Sequence, residues 1–215
     1  MNLYSFCTPS HLPMARRHFF PSARRAGFDR IVVRMGPQEI PTGRYDDPRF
    51  AEGMARKVEA ICRAISRERE PFCFSDVDVH FYGSSAEELP ALLGANDMAF
   101  QRETADGHPC AGFMVIRPSR LTSLFWHAVL EDVVRSKRDD QQVMTRLLKW
   151  PGFSLKTCIL PDRYWSVGVA TGRLWQPGEP VDPPPDLEMH HANATLGLRS
   201  KMDLLDAVER LILGD

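Results

Sequence analysis

Phe72-Cys73-Phe74-Ser75-Asp76-Val77-Asp78-Val79-His80-Phe81 is the stretch that decides the fold. Pro71 stops a helical pattern just before it, and the run opens as a buried apolar strand. It then meets two acids at spacing two. In extended chain, residues i and i+2 point to the same side with a rise of about 3.3 Å per residue. Asp76 and Asp78 are therefore expected to present their carboxylates to one point, while Val77, Val79 and Phe81 face the core. The carboxyl end of a strand in an open α/β sheet is where ligands bind. A hard divalent cation relieves the repulsion of two convergent carboxylates, and oxygen ligands suit Mg²⁺ or Mn²⁺, which bridge carboxylates to phosphates. Taken alone, the pair reads equally as two solvated aspartates at a strand end.

Outward from this stretch the pattern stays regular. Over residues 49–68, Phe50, Met54, Val58, Ile61 and Ile65 recur at steps of four, four, three and four, the spacing of an amphipathic helix. Residues 36–48 hold Pro37, Pro41, Gly43 and Pro48 and are expected to be loop. Ile31-Val32-Val33 centre a strand over 29–35, and residues 2–8 form another that ends at Thr8-Pro9-Ser10. The intervening segment, rich in Arg, Pro and aromatics, reads as loop. Downstream, residues 98–100 and 112–117 read as strands. Ser119 is a good N-cap for a helix to about Ser136, with Leu121, Leu124, Phe125, Ala128 and Val129 on one face. Asp139 or Asp140 caps another, with Val143, Met144, Leu147 and Leu148 inward. Residues 157–160 make a short strand, five prolines over 177–185 make a loop, and Ser200 caps a final helix carrying Met202, Leu205, Val208 and Ile212. Strands alternating with helices predict an α/β sandwich on a mostly parallel sheet, as one domain over 1–215.

The composition sets the remaining bounds. Hydrophobic residues make up 43% and charged residues 26% of 215 residues, enough for a core without staples. A net charge of −1 gives no overall pull toward nucleic acid or anionic membrane. Cys7, Cys62, Cys73, Cys110 and Cys158 are odd in number, form no CxxC pair and sit mostly among apolar neighbours. They read as reduced core thiols. No run approaches the roughly 20 apolar residues of a transmembrane helix, and the N-terminus has no signal-peptide pattern, so a cytoplasmic protein is expected.

The blocks N-L-Y-S-F-C-T, M-A-R-K-V-E-A-I with Lys57, F-S-D-V-D-V-H-F, N-D-M-A-F-Q-R-E, C-A-G-F-M-V-I-R-P, D-D-Q-Q-V-M-T-R-L-L and H-H-A-N-A-T-L-G-L-R-S-K follow one another over most of the chain. In this order they resemble the nucleotide-diphospho-sugar transferases, related to family seventy-seven of the retaining glycosyltransferases. The resemblance implies a GT-A-like fold, with a Rossmann-like, mostly parallel central sheet flanked by helices. Residues 1–82 would be the nucleotide-binding half and 83–215 the sugar and acceptor half.

The resemblance also implies roles. Asp78 would bind the metal directly, and Asp76 would contact the donor ribose and share the metal. His191 would be the third protein ligand and Lys201 would hold the diphosphate, within a block that also contains Asn193 and Gly197. His190 rivals His191, because adjacent strand residues face opposite sides. Imidazole suits Mn²⁺ better than Mg²⁺, and a lysine point charge suits phosphate oxygens. Asp97 occupies the acidic position that binds donor-sugar hydroxyls, although Asn96-Asp97 is also turn chemistry. Asp140 and Gln141 match a pair near the anomeric centre or the acceptor, although the aspartate is equally a helix cap. Tyr4 and Thr8 would contact base or ribose, or be ordinary strand-end residues. Lys57 would reach the donor or only line its helix's polar face. Gly112 sits where backbone approaches a ligand closely. Cys110 departs from the polar residue, often Asn, found in relatives.

The activity so implied is metal-dependent transfer of a sugar, with retention, from a nucleotide diphosphate donor, a UDP-sugar, to an unidentified acceptor hydroxyl. A haloacid-dehalogenase-type phosphatase also uses D-x-D after a strand, but wants Thr or Val where His80 stands. A third reading is a nucleotide-sugar-binding protein with weak or no turnover.

Overall fold

The computed structural model describes residues 1–37 and 50–214. The loop expected over 36–48 therefore lies, from residue 38 on, outside the described residues.

Six strands form the central sheet in the order β2-β1-β3-β6-β5-β7: β1 (Asn2–Cys7), β2 (Arg30–Met35), β3 (Phe72–Ser75), β5 (Met98–Arg102), β6 (Pro109–Ile116) and β7 (Thr157–Ile159). β6 alone runs against the other five, pairing antiparallel with β3 and β5. The sheet is mostly parallel, as expected, and buried on both faces. Along β3, Phe72 and Phe74 enter one core while Cys73 enters the other; along β6, Phe113 and Val115 face one way and Met114 and Ile116 the other. The period-two alternation of side chains thus sorts apolar residues into two layers.

One layer is helical. α3 (Phe50–Arg67) lays Val58, Ile61, Cys62 and Ile65 on the sheet beside α5 (Arg120–Ser136) and α6 (Asp140–Leu148). Ser119 caps α5 with a full capping box, its hydroxyl accepting from Thr122 N at 3.1 Å. The inward face of α5 is set by Phe125, Trp126, Val129 and Val133, so Leu124 is exposed, contrary to the expected face.

The other layer differs from the sequence reading. The expected loop after β1 is helical: a 3-10 turn (Pro9–His11), α1 (Leu12–Met14), a π segment (Ala15–Phe19) and α2 (Phe20–Arg25) run on from one another. Pro9, Pro13 and Pro21 each stand in the first turn of their element, where a missing N–H costs least. A second sheet, β4-β9-β8, is built from β4 (Val79–Phe81), β9 (Met189–His191) and β8 (Tyr164–Trp165). α4 (Ser85–Leu93), α7 (Val167–Thr171) and α8 (Leu198–Leu213) complete the layer. α8 begins at Gly197, whose φ of +87° favours glycine, rather than at the expected Ser200. Phe113 links the two sheets, stacked on Tyr164 at 5.6 Å and tilted against Phe81 at 5.9 Å.

Candidate active site

β3 ends at Ser75, and the chain crosses from the large sheet to the small one over Asp76–Val77–Asp78. This corrects the extended geometry expected for the acid pair: the two aspartates lie in a bend. The bend is pinned from both sides, Asp76 N donating to Gly112 O at 2.7 Å and Ala192 N donating to Asp78 O at 2.9 Å. Val77 is buried between them and anchors the turn in the core. The carboxylates still converge. One ligand atom each from Asp76, Asp78 and His191 lie within 4.8 Å of one another.

His191 rather than His190 turns toward the acids, with Nε2 3.3 Å from Asp78 Oδ1. His190 pairs in register with His80 on the other face of the small sheet, fully buried against Trp165, and burial pulls its pKa down to about 3. The His191 ring is held by a residue that the sequence reading passed over. Gln101 Nε2 donates to Trp165 O at 3.0 Å, which leaves Gln101 Oε1 to face His191 Nδ1 at 2.8 Å. Nδ1 therefore carries the proton. Gly112 makes room for the ring: a Cβ there would overlap the imidazole and stand 2.9 Å from Asp76 Oδ2.

Two lysines, Lys57 buried and Lys201 partly buried, complete the charges. Lys57 Nζ lies 2.9 Å from Asp76 Oδ2 and 3.1 Å from Asp140 Oδ2. Burial works against its ammonium, but Asp140 and Asp76 outweigh burial and hold its pKa above the ordinary value. Lys201 Nζ, from the first turn of α8, donates to Asp78 Oδ2 at 2.5 Å. Burial alone would raise Asp78, but Lys201 and then His191 hold its carboxyl well below the usual carboxylate range. Asp76 goes the other way: burial raises it against the pull of Lys57, helped by Asp78. Asp139, not Asp140, caps α6, accepting from Gln142 N at 2.7 Å, which frees Asp140 to face inward.

These groups line one cavity of about 200 Å³ between the carboxyl ends of β1 and β3 and the start of α8. A family model for the nucleotide-diphospho-sugar transferases matches residues 36–205. The chain belongs to that family. A search of the curated proteins finds no match by sequence. Among solved structures, this transferase is similar to a glycosyltransferase involved in glycosylation of the major capsid of PBCV-1, at 12% identity and a TM-score of 0.65, covering 95% of this chain and 98% of that one. It is also similar to the galactosyltransferase LgtC in complex with donor and acceptor sugar analogues (12%, TM-score 0.57, covering 89% and 86%). Mouse xyloside xylosyltransferase 1 is a third (11%, TM-score 0.51, 90% and 98%). The fold is that of the GT-A glycosyltransferases. Among the described residues, no helix is long and apolar enough to cross a membrane.

Thr8 and Asn193 line the transferase's cavity. Thr8 Oγ1 lies 2.7 Å from His11 Nδ1, and burial and then Lys201 lower that histidine's pKa to about 4. Asn193 donates to Glu103 Oε2 at 2.9 Å and accepts from Ser166 Oγ at 2.5 Å. Gln141 lines the wall, but its amide is engaged by backbone: Oε1 accepts from Ala111 N at 2.6 Å and Nε2 donates to Pro109 O at 2.5 Å. Three expected site residues lie elsewhere. Tyr4 points into the helical layer, its hydroxyl on Glu68. Asp97 sits at the amino end of β5, away from the ligand edge, accepting from Lys156 N at 2.8 Å. Gly197 shapes the start of α8, and Lys201 N donates to its carbonyl at 3.1 Å. Cys110, 3.8 Å from both His191 Nδ1 and Asn193 Nδ2, is held as a thiol: burial, then Glu103, push its pKa well up.

Proposed function

We propose that this transferase moves a sugar from a nucleoside diphosphate donor, a UDP-sugar, to an acceptor hydroxyl with retention of anomeric configuration, and that it requires a divalent cation, Mn²⁺ or Mg²⁺. One observation carries the cation. With Nδ1 turned to Gln101 Oε1, His191 presents Nε2 to Asp78 Oδ1, 3.3 Å away, and one ligand atom each from His191, Asp78 and Asp76 lie within 4.8 Å of one another. Two carboxylates and an imidazole converging so closely make a ligand set that a divalent cation would satisfy, with Gln101 orienting the ring through its other nitrogen. The charge balance agrees: among the described residues that line the cavity, Asp76, Asp78, Glu103 and Asp140 stand against Lys57 and Lys201, a formal surplus of two negative charges. The ligand set of two carboxylates and an imidazole fits Mn²⁺ more readily than Mg²⁺.

Bound there, the cation would neutralise the departing diphosphate. Asp78 divides its carboxylate, Oδ1 toward the imidazole and Oδ2 to Lys201. Lys201 is thereby positioned to turn from Asp78 to a phosphate oxygen as the donor enters, adding charge where it develops. Thr8 and His11 would face the nucleoside, and Gly112, Asp140 and Asn193 the sugar. This divides the roles between residues 1–82 and 83–215. No side chain need act as base, since the leaving phosphate oxygen can take the acceptor's proton.

The experiment is a thermal-shift panel of nucleotide-sugars with and without Mn²⁺, followed by assay of UDP release. The matching donor should stabilise the protein only with metal, and Asp78→Ala should abolish that shift. An Asp78→Ala protein that binds metal and donor as well as the wild type would overturn the reading. Metal-dependent donor binding without release or transfer would leave a nucleotide-sugar-binding protein instead. Family membership leaves the phosphatase alternative without support.

A further inference from the structure

On the far side of the small sheet from His191, a second group of metal-binding side chains comes together from three distant parts of the chain. His18 stands in the π segment, His80 in β4 and Glu209 in the last turns of α8, and one ligand atom from each lies within 4.8 Å of the others. His18 Nδ1 is 3.3 Å from Glu209 Oε2, and His80 Nε2 is 4.0 Å from Glu209 Oε1. These are spacings that ligands about 2 Å from a shared ion can span. Behind His18, Asp206 Oδ1 lies 3.1 Å from Nε2, in the place of the carboxylate that orients a metal-bound imidazole through its other nitrogen.

The group is not explained as an ordinary hydrogen-bond network. His18 and His80 are both buried, at 0% and 1% exposure. Both ring nitrogens of His18, together with His80 Nδ1, lack a well-directed hydrogen bond despite the nearby carboxylates, while Asp206 Oδ1 is held by Arg17 at 2.8 Å. Buried polar atoms are normally satisfied, and a cluster of exceptions points to a missing water or ion. The π segment that presents His18 is itself a rare local geometry found at functional sites. Glu209 reaches the surface, at 30% side-chain exposure, which gives an ion a way in. The guanidinium of Arg25, 3.3 Å from His80 Nε2, belongs to an exposed residue and can swing out.

We propose that His18, His80 and Glu209 form a second, structural site for a borderline transition-metal ion, Zn²⁺, with water in the fourth position and Asp206 orienting His18. The ion would tie the helical stretch after β1 to α8. Both elements form walls of the donor cavity, through His11 and Lys201, so the site acts as a staple across it.

The test is zinc stoichiometry on the full chain, by dialysis and elemental analysis, with thermal stability read alongside. Asp78→Asn, which disables the donor-site cluster, should retain one equivalent of zinc and still gain melting temperature on zinc addition. Combining it with Glu209→Gln, a partly exposed position that leaves both buried rings intact, should remove that equivalent and the shift; His80→Gln should do the same. An Asp78→Asn protein that holds no zinc, or zinc retained unchanged through both further substitutions, would overturn the proposal. Neither result bears on whether the donor site takes Mn²⁺.

Discussion

Gln101 and His191, 90 positions apart, share a hydrogen bond of 2.8 Å that decides which imidazole nitrogen is free. Gln101→Leu removes the acceptor while keeping the side chain's bulk. Mn²⁺ affinity should fall roughly 10–100-fold, the usual effect of losing a partner that orients a metal-bound histidine, with the circular dichroism spectrum unchanged. Electron paramagnetic resonance of free Mn²⁺ measures this directly. An unchanged affinity would show that the ring is oriented by packing alone.

Lys57 is the counter-charge for buried Asp140 and partly buried Asp76, with its own side chain only 5% exposed. Lys57→Met strands both carboxylates, and removing one partner of a buried pair costs about 3–5 kcal/mol. In metal-free buffer the variant should unfold at a markedly lower denaturant concentration. Mn²⁺ should recover more stability for it than for the wild type, since the ion supplies part of the missing charge. Equal stabilisation of both proteins would contradict this.

Gly112→Ala places a methyl group against the His191 ring and near Asp76 Oδ2. Because the strand can hold alanine, the fold should survive. Displacement of the catalytic groups by around 1 Å should cost about 10²-fold in turnover. Steady-state kinetics beside a melting curve separates the two effects, and full activity would mean that the ring has room to move.

Glu88 ties α4 to β8: it accepts from Arg163 Nη2 at 2.7 Å and Nε at 3.2 Å, and from Tyr164 Oη at 2.5 Å. Burial alone would raise its pKa, but Arg163 and Tyr164 lower it below the ordinary value. With the folded value below the unfolded one, the stabilisation is complete above roughly pH 4.3, the unperturbed Glu value, and fades as pH falls through the folded value. Glu88→Gln should thus lose about 1–3 kcal/mol near neutrality and progressively less in acid. Denaturant titrations at several pH values give the difference, and a loss independent of pH would point to packing instead.

Much of this was legible in the sequence because local rules and tertiary context agree. The apolar run of β3 and Ser119 as an N-cap each gave their element directly, whereas alternation said only that His190 and His191 face apart and the choice of His191 came from the resemblance. The helical stretch over residues 9–25 was hidden by its prolines. Its signal was nonetheless present: Met14 and Ala15, His18 and Phe19, and Ser22 and Ala23 repeat at spacing four, and all six are buried. The bend at Asp76–Asp78 could not be seen, since alternation of acid and valine looks the same in a strand and across a change of sheet. Asp97 misled because turn chemistry and sugar binding use the same residue type. Gln101 carried no local mark at all, because its role exists only once strand pairing brings it to His191.

The two hydrogen bonds that pin the Asp76–Asp78 bend come from different sheets, one from Gly112 within the large sheet and one from Ala192 directly after β9 of the small one. The gap between the two carboxylates is therefore a gauge of how the sheets sit against each other. Cores change shape in discrete steps rather than smoothly. Substitutions at Phe113 or Tyr164, buried between the sheets and outside the lining of the cavity, should accordingly retune which ionic radius the acids accept, turning hydrophobic packing into a dial for cation choice.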